Sequence, residues 1–245
     1  MKRSLAAALI LSAPVFAHGQ EAPTLDRDTL RSEIRAYLLE NPEVLMEAMD
    51  VLRAREAEAK RLADAQLIAQ LQARLVDDGV SYVGGNPEGD ITLVEFIDYQ
   101  CGYCKLAHGD VKKLIESDGE IRYVIKELPI LGPVSQTASE AAVAILLYQS
   151  AEVYAAFNDA LLSFQGPLSE PVLYGLARQA GADVDQVRQD ASRPEVKAHL
   201  DATRALAGTL QITGTPAFVV GDEVIRGFKP IDVMREAVAT ARENS

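Results

Sequence analysis

The chain has 245 residues, of which 48% are apolar and 24% are charged, and its formal net charge at pH 7 is −12. This apolar content is enough for a sizeable core, so global disorder is excluded. The acidic balance argues against nucleic acid or an anionic membrane surface as a partner.

The N-terminal segment, residues 1–19, has the pattern of a secretory signal peptide. A basic start at Lys2 and Arg3 precedes an apolar run that is too short for a membrane span. No later stretch has the apolar length that a membrane helix needs. We therefore expect a mature protein in the periplasm, where disulfides are formed and kept.

An N-terminal helical extension is predicted over residues 20–79. Its first helix ends at Asn41-Pro42, and a long helix runs from about Glu43 to Val76. The apolar stripe of the long helix is interrupted at Glu56 and consists of Leu45, Met49, Leu52, Ala59, Ala63, Leu67, Leu71 and Leu75. Such a stripe must be buried, and packing against another copy of the chain is the favoured prediction. Packing on its own domain is the alternative.

The second part begins after a turn-rich boundary at residues 83–89. Strands at 91–97 and 121–126 flank a helix from the cysteines to about Glu116, which makes a βαβ unit. A β-hairpin and a last helix are predicted at 217–220, 223–226 and 230–241. The intervening helices are predicted at 137–149, 152–164, 170–180, 183–191 and 194–210. The fold class is therefore α/β, a thioredoxin fold (80–134 and 211–245) with an inserted helical domain (135–210).

The two cysteines of the chain, Cys101 and Cys104, are separated by two residues at a strand-to-helix junction. The N-terminus of a helix stabilises a thiolate, so this position lowers the pKa of the first cysteine. Half of a zinc site and a structural disulfide are the alternatives. Structural zinc normally needs four protein ligands and no second cysteine pair exists, so redox chemistry is favoured and no metal is predicted.

Three stretches, FIDYQCGYCK, KELPILGP and GTPAFVVG, resemble the DsbA family of thioredoxin-fold thiol:disulfide oxidoreductases. The resemblance covers Tyr82 to about Arg242, and the CGYC tetrad with the N-terminal extension is most similar to ScsC-like proteins. It implies catalysis by Cys101 and Cys104 without a cofactor. It also implies exported cysteine-containing substrates and a membrane partner that resets the pair.

The resemblance further implies that Thr215-Pro216 is a cis-prolyl bond that faces the cysteines and presents the Thr215 backbone to substrate. Threonine before this proline favours an isomerase. Gly102 and Tyr103 are expected to contact substrate and to tune the redox potential.

Two acidic residues of the same region have other expected roles. Glu95 shares a strand face with apolar residues, and the resemblance implies that it relays a proton to or from Cys104; a purely structural carboxylate is the alternative. Asp98 is expected to cap the helix that follows. Glu127 and Asp98 are weaker candidates for the same proton relay.

These observations together predict a periplasmic, oligomeric protein disulfide isomerase or reductase. A monomeric DsbA-like dithiol oxidase is the main alternative, and its cysteine pair would be found oxidised in the cell envelope. A copper- or zinc-binding thiol protein is a further alternative, because thiolates suit Cu(I).

Overall fold

The computed structural model describes residues 26–244, so the predicted signal peptide lies outside the described residues. Contacts divide the chain into two units, one ending at Arg55 and the other beginning at Glu56. Within residues 26–244, no helix combines the length and the apolar character needed to cross a membrane.

The unit that ends at Arg55 is helical. Helix α1 (Arg27–Glu40) begins after Asp26, whose carboxylate accepts a hydrogen bond from the Thr29 backbone N–H at 3.0 Å. Helix α2 (Glu43–Val76) begins in this unit, and its bounds confirm the sequence prediction. Large apolar side chains of this unit are exposed: Leu30, Ile34, Tyr37, Leu39, Leu45, Met46, Met49, Val51 and Leu52.

The unit that begins at Glu56 is built on a mixed sheet. Its strands are β1 (Tyr82–Gly85), β2 (Ile91–Ile97), β3 (Ile121–Glu127), β4 (Ala217–Val220) and β5 (Glu223–Arg226). Within the described chain their order is β1-β3-β2-β4-β5. The central pair β2 and β3 is parallel, and the other pairs are antiparallel. Strand β2 is therefore covered by neighbours on both sides, as its apolar sequence predicts.

Helices cover this sheet and form the insert. Helix α3 (Gly102–Asp118) joins β2 to β3, and α9 (Ile231–Glu243) follows β5. The insert between β3 and β4 consists of α4 (Pro133–Tyr148), α5 (Ala151–Ser163), α6 (Glu170–Gln179), α7 (Val184–Asp190) and α8 (Pro194–Thr209). This order confirms the predicted α/β thioredoxin fold with an inserted helical domain.

Strand β1 was not predicted, because its residues were assigned to the turn-rich boundary at 83–89. It pairs antiparallel with β3, with Tyr82 opposite Ile125. Gly85 has φ 64°, and a Cβ atom there would lie 2.4 Å from the Ile121 carbonyl oxygen. A glycine that indicates a turn in the sequence therefore allows β1 and β3 to approach each other closely.

The C-terminal part of α2 packs on its own domain. Ile68 and Leu75 are buried and belong to one core cluster with Val94, Phe96 and Val124 of the sheet. For this part of the stripe, the prediction of packing against another copy is wrong, and the alternative holds. Ile68, which was not assigned to the stripe, is more deeply buried than Leu67 or Leu71, which are only half-buried.

Charged side chains attach the same part of the chain to the sheet. The guanidinium of Arg226 on β5 donates to both carboxylate oxygens of Asp64, at 2.8 and 3.1 Å. The buried Lys126 ammonium on β3 donates to the Asp78 carboxylate at 2.7 Å and to the Arg74 carbonyl at 2.8 Å. Burial lowers the pKa of Lys126. Burial acts to raise the pKa of Asp78, but the hydrogen bond and charge of Lys126, together with backbone hydrogen bonds, outweigh burial and the pKa is lowered.

Candidate active site

The two cysteines lie where β2 ends and α3 begins. Cys101 is the N-cap residue of α3, and no side chain caps this helix, so its first backbone N–H groups face the sulfur. Both cysteines are free thiols. Cys101 is 7% exposed and Cys104 is fully buried. Only the first sulfur therefore reaches the surface.

The pKa values of the two thiols move in opposite directions. The pKa of Cys101 falls to about 5, chiefly because the Cys104 thiol donates a hydrogen bond to its sulfur. Burial opposes this fall, while the Thr215 side chain and the backbone N–H groups of Cys104 and Tyr103 add to it. The pKa of Cys104 rises, because the same hydrogen bond holds its proton and because it is buried near the charge of Glu95. Cys101 is thus the thiolate and Cys104 the thiol.

The opposite wall of the site is the loop before β4. The Thr215-Pro216 peptide bond is cis, as the resemblance implies. The Cys101 thiol, when protonated, donates to the Thr215 carbonyl oxygen at 3.1 Å. The Thr215 hydroxyl is buried and makes no hydrogen bond of ordinary geometry within residues 26–244, but it is close enough to Cys101 to lower the pKa of that thiol. Pro216 brings no N–H group to the sulfur, so the loop offers a carbonyl and a hydroxyl beside Cys101.

Glu95 lies on β2 and is 2% exposed. Burial raises its pKa to about 7, the hydrogen bond donated by the Tyr123 hydroxyl lowers it, and the charge of Cys101 raises it. A carboxyl group that titrates near neutral pH can accept or release a proton under working conditions. Its position near Cys104 is compatible with the expected relay.

Several side chains exposed in α3 and in the loop after β3 are apolar. Gly102 is exposed, and the Tyr103 side chain is 64% exposed, as a substrate-contacting residue requires. Leu106 of α3 is exposed, and so are Ile130 and Leu131 in the loop after β3. Because β2 and β3 are parallel, this loop lies at the same sheet edge as the cysteines.

A second buried acid, Glu127, was only weakly indicated by the sequence. It is 1% exposed and accepts hydrogen bonds from Tyr99 and Tyr154 at 2.6 and 2.7 Å and from Ser139 at 2.8 Å. Burial raises its pKa to about 7. Tyr123, the partner of Glu95, was missed altogether. The alternation along β3, which puts Tyr123 on the same sheet face as Glu95, was the available signal.

The capping role predicted for Asp98 is wrong. The N-cap residue of α3 is Cys101, and no side chain caps the helix. Asp98 is fully buried and instead accepts hydrogen bonds from Ser135 and from backbone N–H groups of the loop after β3.

One histidine of α3 lies close to the cysteines in sequence. The Nε2 atom of this residue, His108, lies 2.9 Å from an Asp159 carboxylate oxygen on α5. Across residues 26–244, no three His, Cys, Asp or Glu side chains are grouped so that they could hold a metal ion.

Comparison with known families decides the relationship. The family described as DSBA-like thioredoxin domain matches residues 92–239. The chain belongs to this family. The family described as copper resistance protein ScsC N-terminal domain matches residues 26–59, so this DsbA-family chain is ScsC-like. The cysteines, Glu95 and the cis-proline all fall within the DSBA-like match.

Individual relatives agree with this assignment. A thioredoxin-like oxidoreductase from Silicibacter pomeroyi is 40% identical, with a TM-score of 0.67 over 71% of this chain and 98% of its own. Salmonella enterica Typhimurium BcfH is 30% identical, with a TM-score of 0.74 over 88% of this chain and 95% of its own.

The curated relatives with the strongest matches are longer proteins. Na(+)/H(+) antiporter NhaA 1 of Salinispora arenicola is 31% identical over 68% of this chain and 25% of that protein. The chain thus spans about a quarter of the length of these relatives.

Proposed function

We propose that the protein is a thiol-disulfide oxidoreductase that acts on exported proteins through Cys101 and Cys104. One observation carries the proposal: Cys101 lies at a helix N-terminus with a pKa of about 5, while the buried Cys104 stays protonated behind it. A sulfur with a low pKa is ionised at neutral pH and is a good leaving group.

The reaction begins when the Cys101 thiolate attacks one sulfur of a substrate disulfide. A mixed disulfide forms, and the other substrate sulfur leaves as a thiolate. If another substrate thiolate then attacks the mixed disulfide, the substrate is isomerised and Cys101 is regenerated. If Cys104 attacks instead, the substrate leaves reduced and the Cys101–Cys104 disulfide forms. Run in reverse, the same steps donate a disulfide.

Other site residues assist these steps. Cys104 must lose its proton before it attacks, and we assign the acceptor to the Glu95 carboxylate. We assign pairing with an extended substrate to the Thr215 backbone beside Pro216, and further substrate contacts to Gly102 and Tyr103; the contact of Thr215 with Cys101 and the exposure of Gly102 and Tyr103 support this assignment.

The direction of the chemistry depends on the oligomeric state. We propose that the extension, residues 20–79, assembles several copies, with 80–134 and 211–245 as the thioredoxin-fold domain and 135–210 as the insert. The exposed apolar residues between Leu30 and Leu52 support assembly, because such side chains on a helix are usually covered. Several active sites in one assembly favour isomerisation or reduction, whereas a monomer favours the oxidase alternative.

Location and partners complete the proposal. We infer a periplasmic protein from the pattern of residues 1–19, with exported cysteine-containing proteins as substrates. A membrane redox partner would reset the Cys101–Cys104 pair after each reductive cycle.

The test is refolding of scrambled ribonuclease by full-length mature protein, with light scattering on the same samples. We compare wild type, Cys101→Ala, a Leu45→Asp/Leu52→Asp variant, and Glu47→Ala as a surface control on the same helix. Wild type and the control should be oligomeric and active, and Cys101→Ala inactive. The double variant should be monomeric, should still reduce a small disulfide, and should lose isomerase activity. Monomeric wild type, or isomerisation by the monomeric variant, would contradict the isomerase proposal.

A further inference from the structure

Asp98 is a buried carboxylate that no step of the proposed mechanism uses. It directly follows β2 and is fully buried. Four hydrogen bonds end on it: from the backbone N–H groups of Gln100, Ile130 and Leu131 at 2.8, 2.8 and 2.9 Å, and from the Ser135 hydroxyl at 2.7 Å. Because these donors come from separate segments of the chain, the Asp98 carboxylate links those segments.

The segments that Asp98 connects belong to different parts of the site. Gln100 lies in the turn that leads to Cys101, and the Asp98 carbonyl also accepts a hydrogen bond from the Cys101 N–H at 3.0 Å. Ile130 and Leu131 lie in the loop between β3 and α4. Asp98 therefore holds the backbone beside the attacking sulfur and the backbone of this loop at the same time.

The loop presents apolar side chains to solvent. Ile130 is 40% exposed and Leu131 is 49% exposed, although their N–H groups point inward to the carboxylate. The loop has no ladder partner in the sheet at these residues, so the carboxylate supplies the hydrogen bonds that order it. The distance from Cys101 to these two side chains is thus set by Asp98.

We propose that Asp98 is a positioning residue for substrate binding, which holds the Ile130–Leu131 loop beside Cys101 so that peptides with an apolar side chain near the reacting cysteine are preferred. This inference rests on the proposed thiol-disulfide function. The Asp98 carboxylate affects substrate affinity and leaves the sulfur chemistry unchanged, because neither cysteine side chain forms a hydrogen bond with it.

The test uses full-length Asp98→Asn, which keeps the shape of the side chain but replaces one acceptor oxygen by an NH2 group. Two reduction reactions are compared: a peptide disulfide flanked by leucines, and a small aromatic disulfide without a peptide. We expect KM for the peptide to rise about tenfold, because each carboxylate oxygen accepts two of the four hydrogen bonds and an amide nitrogen in its place accepts neither, with kcat nearly unchanged. The rate with the small disulfide should change less than about twofold.

Ser135→Ala is the matched control, because it removes one donor and leaves both loop N–H groups in place. Hydrogen exchange at Ile130 and Leu131 should accelerate in Asp98→Asn and stay slow in the control. Equal losses with peptide and small disulfide would overturn the inference, and so would an unchanged KM.

A second variant covers a failure of Asp98→Asn to fold. Ile130→Ser/Leu131→Ser changes only exposed side chains and should raise KM for the leucine peptide in the same way; an unchanged KM overturns the inference. If wild type reduces neither disulfide, the proposed function has failed, an outcome distinct from a failure of the Asp98 assignment.

Discussion

Replacing Glu95 with glutamine should change how stability depends on pH. In the folded protein the pKa of Glu95 is about 7, against an ordinary value of 4.5. When the pKa of a carboxyl group is higher in the folded than in the unfolded protein, the group does not change the unfolding free energy below the unfolded-state pKa. As pH rises from the unfolded-state pKa to the folded-state pKa, the unfolding free energy falls progressively. At 1.36 kcal/mol per pH unit, ionising this buried group costs about 3 kcal/mol above pH 7. Glutamine cannot ionise, so the variant escapes this cost.

The assay is urea unfolding of the reduced proteins at about pH 4 and about pH 8. Between these values, the unfolding free energy of Glu95→Gln should gain about 3 kcal/mol relative to wild type. Glu47→Gln, an exposed carboxylate on α2, serves as the control and should gain nothing. If the difference in unfolding free energy between Glu95→Gln and wild type were the same at both pH values, within the error of extrapolation, Glu95 would not titrate near neutral pH and the reasoning would be refuted.

Three further predictions concern the same region. Tyr123→Phe removes the hydrogen bond that lowers the pKa of Glu95, so the pH range of the stability loss should move upward in the same urea series; an unmoved range would contradict this. Asp78→Asn leaves Lys126 without its counter-charge and should lower the unfolding free energy, measured with urea at neutral pH, by about 3 kcal/mol. A negligible change would show that the ion pair does not stabilise the fold. Ultraviolet thiolate absorbance should give a Cys101 midpoint near 5, whereas a midpoint near that of a free thiol would exclude an activated nucleophile.

Local patterns carried most of the correct sequence predictions. The apolar run of β2 and the cysteine pair after it lie between Ile91 and Cys104, so strand, turn and helix could be predicted from neighbours alone. The burial of Glu95 followed from alternation along the same strand. The long α2 helix could also be predicted from the sequence, because the residues that end it directly follow its last turn.

Contacts distant in sequence were the source of the errors. Asp98 was assigned to the nearest helix, but three of its donors lie 32 to 37 residues further along the chain. Glu127 receives its hydrogen bonds from α4, from α5 and from Tyr99. Ile68 was left off the stripe because helical spacing identifies an apolar face but not which part of it meets the sheet.

The unequal exposure of the two sulfurs makes the protein selectively labelable. A small alkylating reagent can approach Cys101, at 7% exposure, whereas Cys104 is fully buried. One sulfur can therefore carry a fluorophore or a spin label without protecting groups on the other, and it can hold a trapped substrate once Cys104 is replaced by alanine and can no longer attack the mixed disulfide. Captured cellular proteins would then be bound through a single defined atom, and their identity could be read directly by mass spectrometry.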